Sequence, residues 1–381
     1  MRILHLAYED PRQPGSGGGS VRTREVNRRL AERHEVTCVV AAYPGARERV
    51  EDGIRWVPVG PRRAGLLPRL AWFGLMPFAV RAHRSDLVVE DFGAPFSTGL
   101  SPLYTRRPVV AVVQWLFARE MRTKYHLPFD LVERYGVRAY DDLITVSDWL
   151  ARDVVRRNPR AIVEAIPNGL AAEAFAAPAD ASPEHFVFLG RLDIGHKGLD
   201  LLVDAVAEGL RRSGGRLPPV LVLGDGPDRA ALERLVQERG LAGRIRLVGR
   251  VEGAAKTDLL ARSHAVLMPS RYETFGIVAL EALAAGVPLV TFDVGPLREV
   301  TGGHGTVLVP PFDLPRFVDA MLAVLDDPAR RDEAATAGRE WSRRYDWDVI
   351  AAAQERHYEE ALERHRRRLR DGRGPGPEIR E

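Results

Sequence analysis

Two glutamates, Glu273 and Glu281, stand eight residues apart in "PSRYETFGIVALEALAAGVPLV", residues 269–290. Eight residues is close to two turns of 3.6, so the carboxylates project from one side of the segment, one at the helix mouth and one deeper. Gly276 opens that helix, and Gly286 with Pro288 closes it. The stretch "FGIVALEALAAG" is otherwise nearly all apolar, which predicts burial. A buried Glu281 then needs a partner, such as a ribose hydroxyl or a cation. At the helix N-terminus, the backbone N–H groups of Thr274, Phe275 and Gly276 are placed to meet a phosphate.

A second loop offers the charge that such an anion needs. The chain holds only three lysines, Lys124, Lys197 and Lys256, against many arginines. Lys197 lies in "GRLDIGHKGLD", six residues after Arg191, between a strand that ends at Gly190 and a helical run from Gly198. Alone, such a pair reads as a solvated surface loop. In a chain that almost always uses arginine, a lysine there indicates a compact cation. Two cations suit a diphosphate whose negative charge grows as it leaves a sugar. A third loop, "GSGGGS" at 15–20, follows the first strand and precedes a helix. It reads equally as a phosphate approach or a flexible loop, because it lacks both dinucleotide-fingerprint spacing and a Gly-Lys-Ser/Thr ending.

The elements that would position these loops alternate along the chain. "RILHLA", "EVTCVVAA", "IRWVPV", "DLVVED", "PVVAVV" and "DLITVS" predict one parallel sheet, and the rhythm restarts at "HFVFLG" to give a second. The Ala- and Pro-rich stretch 171–184 predicts the boundary. The expected organisation is an N-terminal unit over 1–175, a second over 183–345, a terminal helix over 346–370 and a disordered tail over 371–381. Ligands of such sheets bind beyond the carboxyl ends of the strands, where all three loops fall.

Composition excludes several classes. The 381 residues carry a formal charge of +3 and are 45% hydrophobic, as in an ordinary globular protein. A lone cysteine, Cys38, forms neither an intrachain disulfide nor a zinc site, and reads as a buried thiol. No apolar run reaches the roughly 20 residues that span a bilayer, and the first strand is too short for a signal peptide. A cytoplasmic location is expected. The basic C-terminal run "RHRRRLR" reads as a solvated helix end rather than a nucleic-acid surface, since no aromatic residues interleave it.

Taken in order, GR-x5-KG, "GDGP" at 224–227, "VGRV" at 248–251 and the E-x7-E segment resemble the retaining glycosyltransferases of family 4. The resemblance is most specific over 186–300. It implies an α/β GT-B fold, two Rossmann-like doubly wound parallel-sheet domains facing across a cleft, with the last helix crossing back to the first domain. It implies that Arg191 and Lys197 bind the donor diphosphate and that Lys197 neutralises the leaving group. It places Glu273 at the donor sugar with Thr274, Phe275 and Gly276, Glu281 at the ribose, and Gly249, Arg250 and Val251 at the base. Gly18 and Gly19 would close the diphosphate pocket from the other domain.

The resemblance further implies metal-independent transfer from a nucleotide-diphosphate sugar, UDP- or GDP-linked, with no other cofactor. Asp346-x-Asp348 has a metal-binding spacing, but its place before a long helix reads as capping. Family members often carry a histidine after the strand "PVVAVV"; here Gln114 and Trp115 stand there, so a histidine-dependent step is in doubt. Gln114, Trp115 and His126 are the acceptor-side candidates. The acceptor class stays open between glycan, natural product and lipid-linked species. Residues 61–84 hold five arginines and no acids among Leu, Trp, Phe and Met. They read first as a core helix broken near Pro77 and second as a peripheral contact with anionic membrane at the inner surface. A nucleotide-sugar 2-epimerase of the same fold and a basic nucleic-acid-binding protein are the rival readings.

Overall fold

The computed structural model describes residues 1–14, 16–63, 66–93, 99–116, 129–177 and 181–371. Lys124, His126 and the tail from 372 lie outside these residues. The chain forms two compact units, Met1–Gly169 together with the chain from Trp347 on, and Leu170–Asp346. The division therefore falls ahead of residue 175. The stretch expected to link the units belongs to the second one, where Ala172–Phe175 forms a short helical turn whose Glu173 carbonyl accepts from Thr257 Oγ1.

Among the described residues the first unit is built on a sheet of eight strands. They are β1 (Arg2–Leu6), β2 (Glu35–Ala41), β3 (Arg49–Glu51), β4 (Ile54–Val59), β5 (Leu87–Phe92), β6 (Val109–Val113), β7 (Asp142–Thr145) and β8 (Ile162–Ala165). Their order is β3-β4-β2-β1-β5-β6-β7-β8, parallel throughout except that β3 runs antiparallel to β4. All of β6, "VVAVV", is buried, as expected for a central strand covered on both faces. The short edge strand β3 and the half-exposed β8 escape sequence reading because neither carries a buried apolar run.

Helix Gly18–Leu30 packs against the last helix, Trp347–Arg370. Arg22 is the joint. Its buried guanidinium donates to the carbonyls of Ile166 and Pro167, to Asn168 Oδ1 and to Gln354 Oε1. Burial lowers its pKa to about 10, so it remains a cation at neutral pH. Asp346 immediately precedes the last helix, and Asp348 in the first turn pairs with Arg29. At the other end Arg364 pairs with Asp142 at 2.6 Å and Arg368 with Asp141, so two arginines of the basic run are tied to the first sheet.

The segment expected to break near Pro77 does not. Helix Leu66–Ala82 runs through Pro77, with Trp72, Met76 and Val80 buried along one face and Phe78 and Arg81 exposed, as is Arg84 just beyond its end. Spacing of four keeps those three side chains on a common stripe, whose burial outweighs the one lost backbone bond. Among the described residues, no helix is long and apolar enough to cross a membrane.

The second unit repeats the plan with β9 (His185–Leu189), β10 (Val220–Leu223), β11 (Ile245–Gly249), β12 (Ser263–Met268), β13 (Leu289–Phe292) and β14 (Thr306–Val309). All pairs are parallel, in the order β11-β10-β9-β12-β13-β14. This is the doubly wound order 3-2-1-4-5-6, whose direction reverses between β9 and β12. The loops that follow those two strands carry Lys197 and Glu273.

Candidate active site

The loop after β9 is shaped by close backbone approaches. Gly190 and Gly224 meet so tightly that a Cβ on Gly224 would lie 1.9 Å from the Gly190 carbonyl oxygen. Leu192 N–H donates to the Asp225 carbonyl, and Asp228 Oδ2 accepts from Ile194 N–H. "GDGP" thus fixes where the β9 loop leaves the sheet. Asp193 then caps the short helix Ile194–Lys197 by accepting from His196 N–H. Gly198 ends it at φ 63°, and a Cβ there would fall 2.0 Å from the Pro269 carbonyl oxygen.

That contact begins a seam between the two loops. Arg271 N–H donates to the His196 carbonyl at 2.9 Å, and its guanidinium forks onto Asp200 at 2.7 and 2.6 Å. Burial raises the Asp200 pKa, but the bonds from Arg271 outweigh it and hold the carboxyl below its ordinary value. Held from both sides, Lys197 Nζ reaches Glu273 Oε1 at 2.6 Å. Glu273 is 7% exposed, and its backbone carbonyl lies where any side chain on Gly295 would sit. Lys197 is half-buried, so the cation borders solvent while the carboxylate does not.

The second glutamate has a cation too. Helix Ile277–Ala284 is buried on most sides, and its Glu281 Oε1 accepts from Lys256 Nζ at 2.8 Å. Lys256 projects from helix Gly253–Ala261, which follows β11. The expected base segment lies between them: Gly249 at φ 92°, Arg250 exposed and paired with Glu252, and Val251 packed on the core. Thr274 is half-buried, while Phe275 is buried against Tyr345. Gly276 adopts φ 88° where a Cβ would strike Leu297. Arg191 begins the same loop and is exposed, while Lys197 is drawn in toward Glu273.

In the first unit, Gly18 and Gly19 open helix Gly18–Leu30, with Gly17 as N-cap donating its N–H to Glu9. Gln114 Nε2 donates to the Gly19 carbonyl at 3.4 Å, and a Cβ on Gly19 would lie 3.2 Å from that nitrogen. Gln114 and Trp115, both half-buried, follow β6. His5 is buried, bonded through Nε2 to Asp91 and through Nδ1 to Asn27.

The model of glycosyltransferase family 4 matches residues 16–174, and that of the glycosyl transferases group 1 matches residues 183–327. A D-inositol 3-phosphate glycosyltransferase from Xylanimonas cellulosilytica is 30% identical over 416 aligned positions, covering 96% of this chain and 97% of that protein. The chain belongs to glycosyltransferase family 4. An α-D-kanosaminyltransferase from Streptomyces kanamyceticus is 32% identical to this chain over 273 residues, 68% of this chain but only 64% of the relative, so the chain spans less than two thirds of that relative's length. The structure of HepE from Anabaena in complex with UDP-glucose superposes with a TM-score of 0.71 at 20% identity, covering 93% and 98% of the two chains. The fold is GT-B.

Sequence reading of this family member missed Lys256, Arg271, Asp200 and Asp228. Only Lys256 left a signal, as a rare lysine in a chain whose buried Glu281 needed a partner. The two loops meet through the sheet order, which no local pattern records.

Proposed function

We propose that the protein transfers a sugar, with retention at the anomeric carbon, from a nucleoside-diphosphate sugar to a hydroxyl of a glycan, natural-product or lipid-linked acceptor. The Lys197–Glu273 pair carries this reading, because it stands at the strand-order reversal of the second sheet, where doubly wound folds bind nucleotides. Lys197 meets the departing diphosphate, aided by Arg191, and compensates its growing charge. Glu273 orients the hydroxyls of the donor sugar, and the N-terminus of the helix from Ile277 faces the phosphates.

The anomeric carbon–phosphate oxygen bond breaks while the bond to the acceptor oxygen forms on the same face. The acceptor's proton passes to the leaving phosphate oxygen. Gln114 has no basic group at neutral pH, and this route asks none of it. No metal takes part in the proposed step, and activity should persist in excess chelator. Arg81, Arg84 and Phe78 form the surface proposed to touch anionic membrane; absence of co-sedimentation with anionic vesicles at low salt would remove that part.

The test is a panel of UDP-, GDP-, ADP- and TDP-sugars. A true donor raises the melting temperature by mass action. The anomeric configuration of the product, read by proton coupling constants, must match that of the donor. An inverted product would overturn retention, and no stabilisation by any member would overturn the donor class.

A further inference from the structure

We infer that Tyr345 is a positioning residue for Glu273, holding the loop that carries it through Phe275 on one side and through the Val300 carbonyl on the other. The inference rests on the proposed function, which gives Glu273 its place at the donor sugar. It goes beyond that reading by naming what keeps the carboxylate where the reaction needs it.

The loop from Glu273 to Gly276 leans on the segment that follows β13. Gly295 passes so close that a Cβ there would collide with the Glu273 carbonyl, and a Cβ on Gly276 would collide with the Leu297 side chain. The backbone of the loop is therefore only as well placed as the stretch 295–301. That stretch ends in the short helix Leu297–Thr301, whose last carbonyls lack partners within the helix. The Val300 carbonyl accepts from two side chains instead, Trp341 Nε1 at 2.8 Å and Tyr345 Oη at 2.9 Å. Burial pushes the Tyr345 hydroxyl up to about 12, so it keeps its proton and remains a donor at neutral pH.

Tyr345 also reaches the loop directly. Its ring meets that of Phe275 edge to face, with centroids 6.0 Å apart and planes at 67°, and both rings are buried. Trp341, which shares the carbonyl, stacks on His304. The backbone carbonyl of Tyr345 accepts from Leu170 N–H at 2.7 Å, so the tyrosine is tied at its hydroxyl and at its main chain, and its ring is a fixed wall. Phe275 stands two residues from Glu273, whose carboxylate holds Lys197. Removing the wall opens a space that the Phe275 ring can enter, and Glu273 must follow. Displacing an orienting group by about 1 Å can cost roughly a hundredfold in rate.

The experiment takes the sugar nucleotide of the donor panel that most stabilises the wild type. Its Kd and that of its bare nucleoside diphosphate are measured by calorimetry on the full chain and on Y345L, Y345F, F275L and W341F. Glu273 meets only the sugar, so its displacement is read in the ratio of the two affinities, which a loss of fold stability alone does not move. Y345L should lose about tenfold or more of the sugar nucleotide's relative affinity, with the bare nucleotide bound as by the wild type and donor hydrolysis slowed in parallel. Y345F, which keeps the ring while Trp341 still holds the carbonyl, should keep the wild-type ratio. W341F should lower the melting temperature and leave the ratio alone. A wild-type ratio in Y345L, equal weakening of both ligands, or a Y345F as impaired as Y345L would overturn the inference and leave the proposed function standing. If Y345L does not fold, F275L decides from the other side of the same contact, since an unchanged ratio there overturns the inference. If the wild type bound no member of the panel, the proposed function would fail and the inference with it.

Discussion

Lys197 Nζ lies 2.6 Å from Glu273 Oε1, so the two residues expected to act on opposite ends of the breaking bond share one ion pair. Each therefore also stabilises the other. K197M and E273Q should each lower kcat by orders of magnitude, and each should cost stability, because one removal leaves the other group without its partner. The double variant should be more stable than the sum of the single losses predicts, by about 1–3 kcal/mol in a double-mutant cycle. Additive losses in urea unfolding would show that the pair is not coupled.

The Arg271–Asp200 fork gives the seam an acid limit. Asp200 has a depressed pKa in the fold, so its contribution is present above its unfolded value near 3.8 and is lost as pH falls through the lower folded value. Stability of the wild type should therefore fall on the acid side of pH 4 in part through this group. R271M should flatten that part of the profile and lower donor affinity at neutral pH. Unfolding midpoints measured from pH 3 to 7 for both proteins provide the check.

Gly198 is expected to tolerate no side chain. G198A places a Cβ against the Pro269 carbonyl and a non-glycine residue at φ 63°. The left-handed backbone alone costs about 1–2 kcal/mol, and relief of the clash must open the seam beside Lys197. Donor affinity should drop at least as sharply as melting temperature. G214A is the control: Gly214 is also left-handed, at φ 61°, but meets nothing within 4 Å.

Arg22 should be the most costly single position of the first unit. R22M strands four acceptors, in Ile166, Pro167, Asn168 and Gln354, of which Ile166 is 1% exposed. A loss of at least about 3 kcal/mol is expected from buried acceptors without donors. Denaturant unfolding at constant m-value would measure it.

Much of this architecture was legible in the sequence because each piece is local. Strand runs, the Gly276 and Gly286 stops and the E-x7-E spacing sit within windows of a few residues. The pairings were not. Glu281 announced its need for a partner, a hydroxyl or a cation, but Lys256 comes 25 residues earlier on another helix, brought there by the β11–β10–β9–β12 order. Glu90 shows the same limit: the strand "LVVEDF" reads as apolar, yet its buried carboxylate gathers the N–H groups of Leu100 and Ser101 and the hydroxyl of Tyr140. Pro77 misled for a different reason, since tertiary burial of Trp72, Met76 and Val80 overrode a local helix breaker.

The scarcity of lysine has a practical side. Of the three ε-amines in the chain, two are held by the paired glutamates of the proposed donor site. An amine-selective acylating reagent is thus close to a site-directed reporter of this protein. Mapped by peptide mass, its yield at Lys197 and Lys256 with and without nucleotide would follow occupancy in the unaltered chain, against a background of arginines to which the reagent is blind.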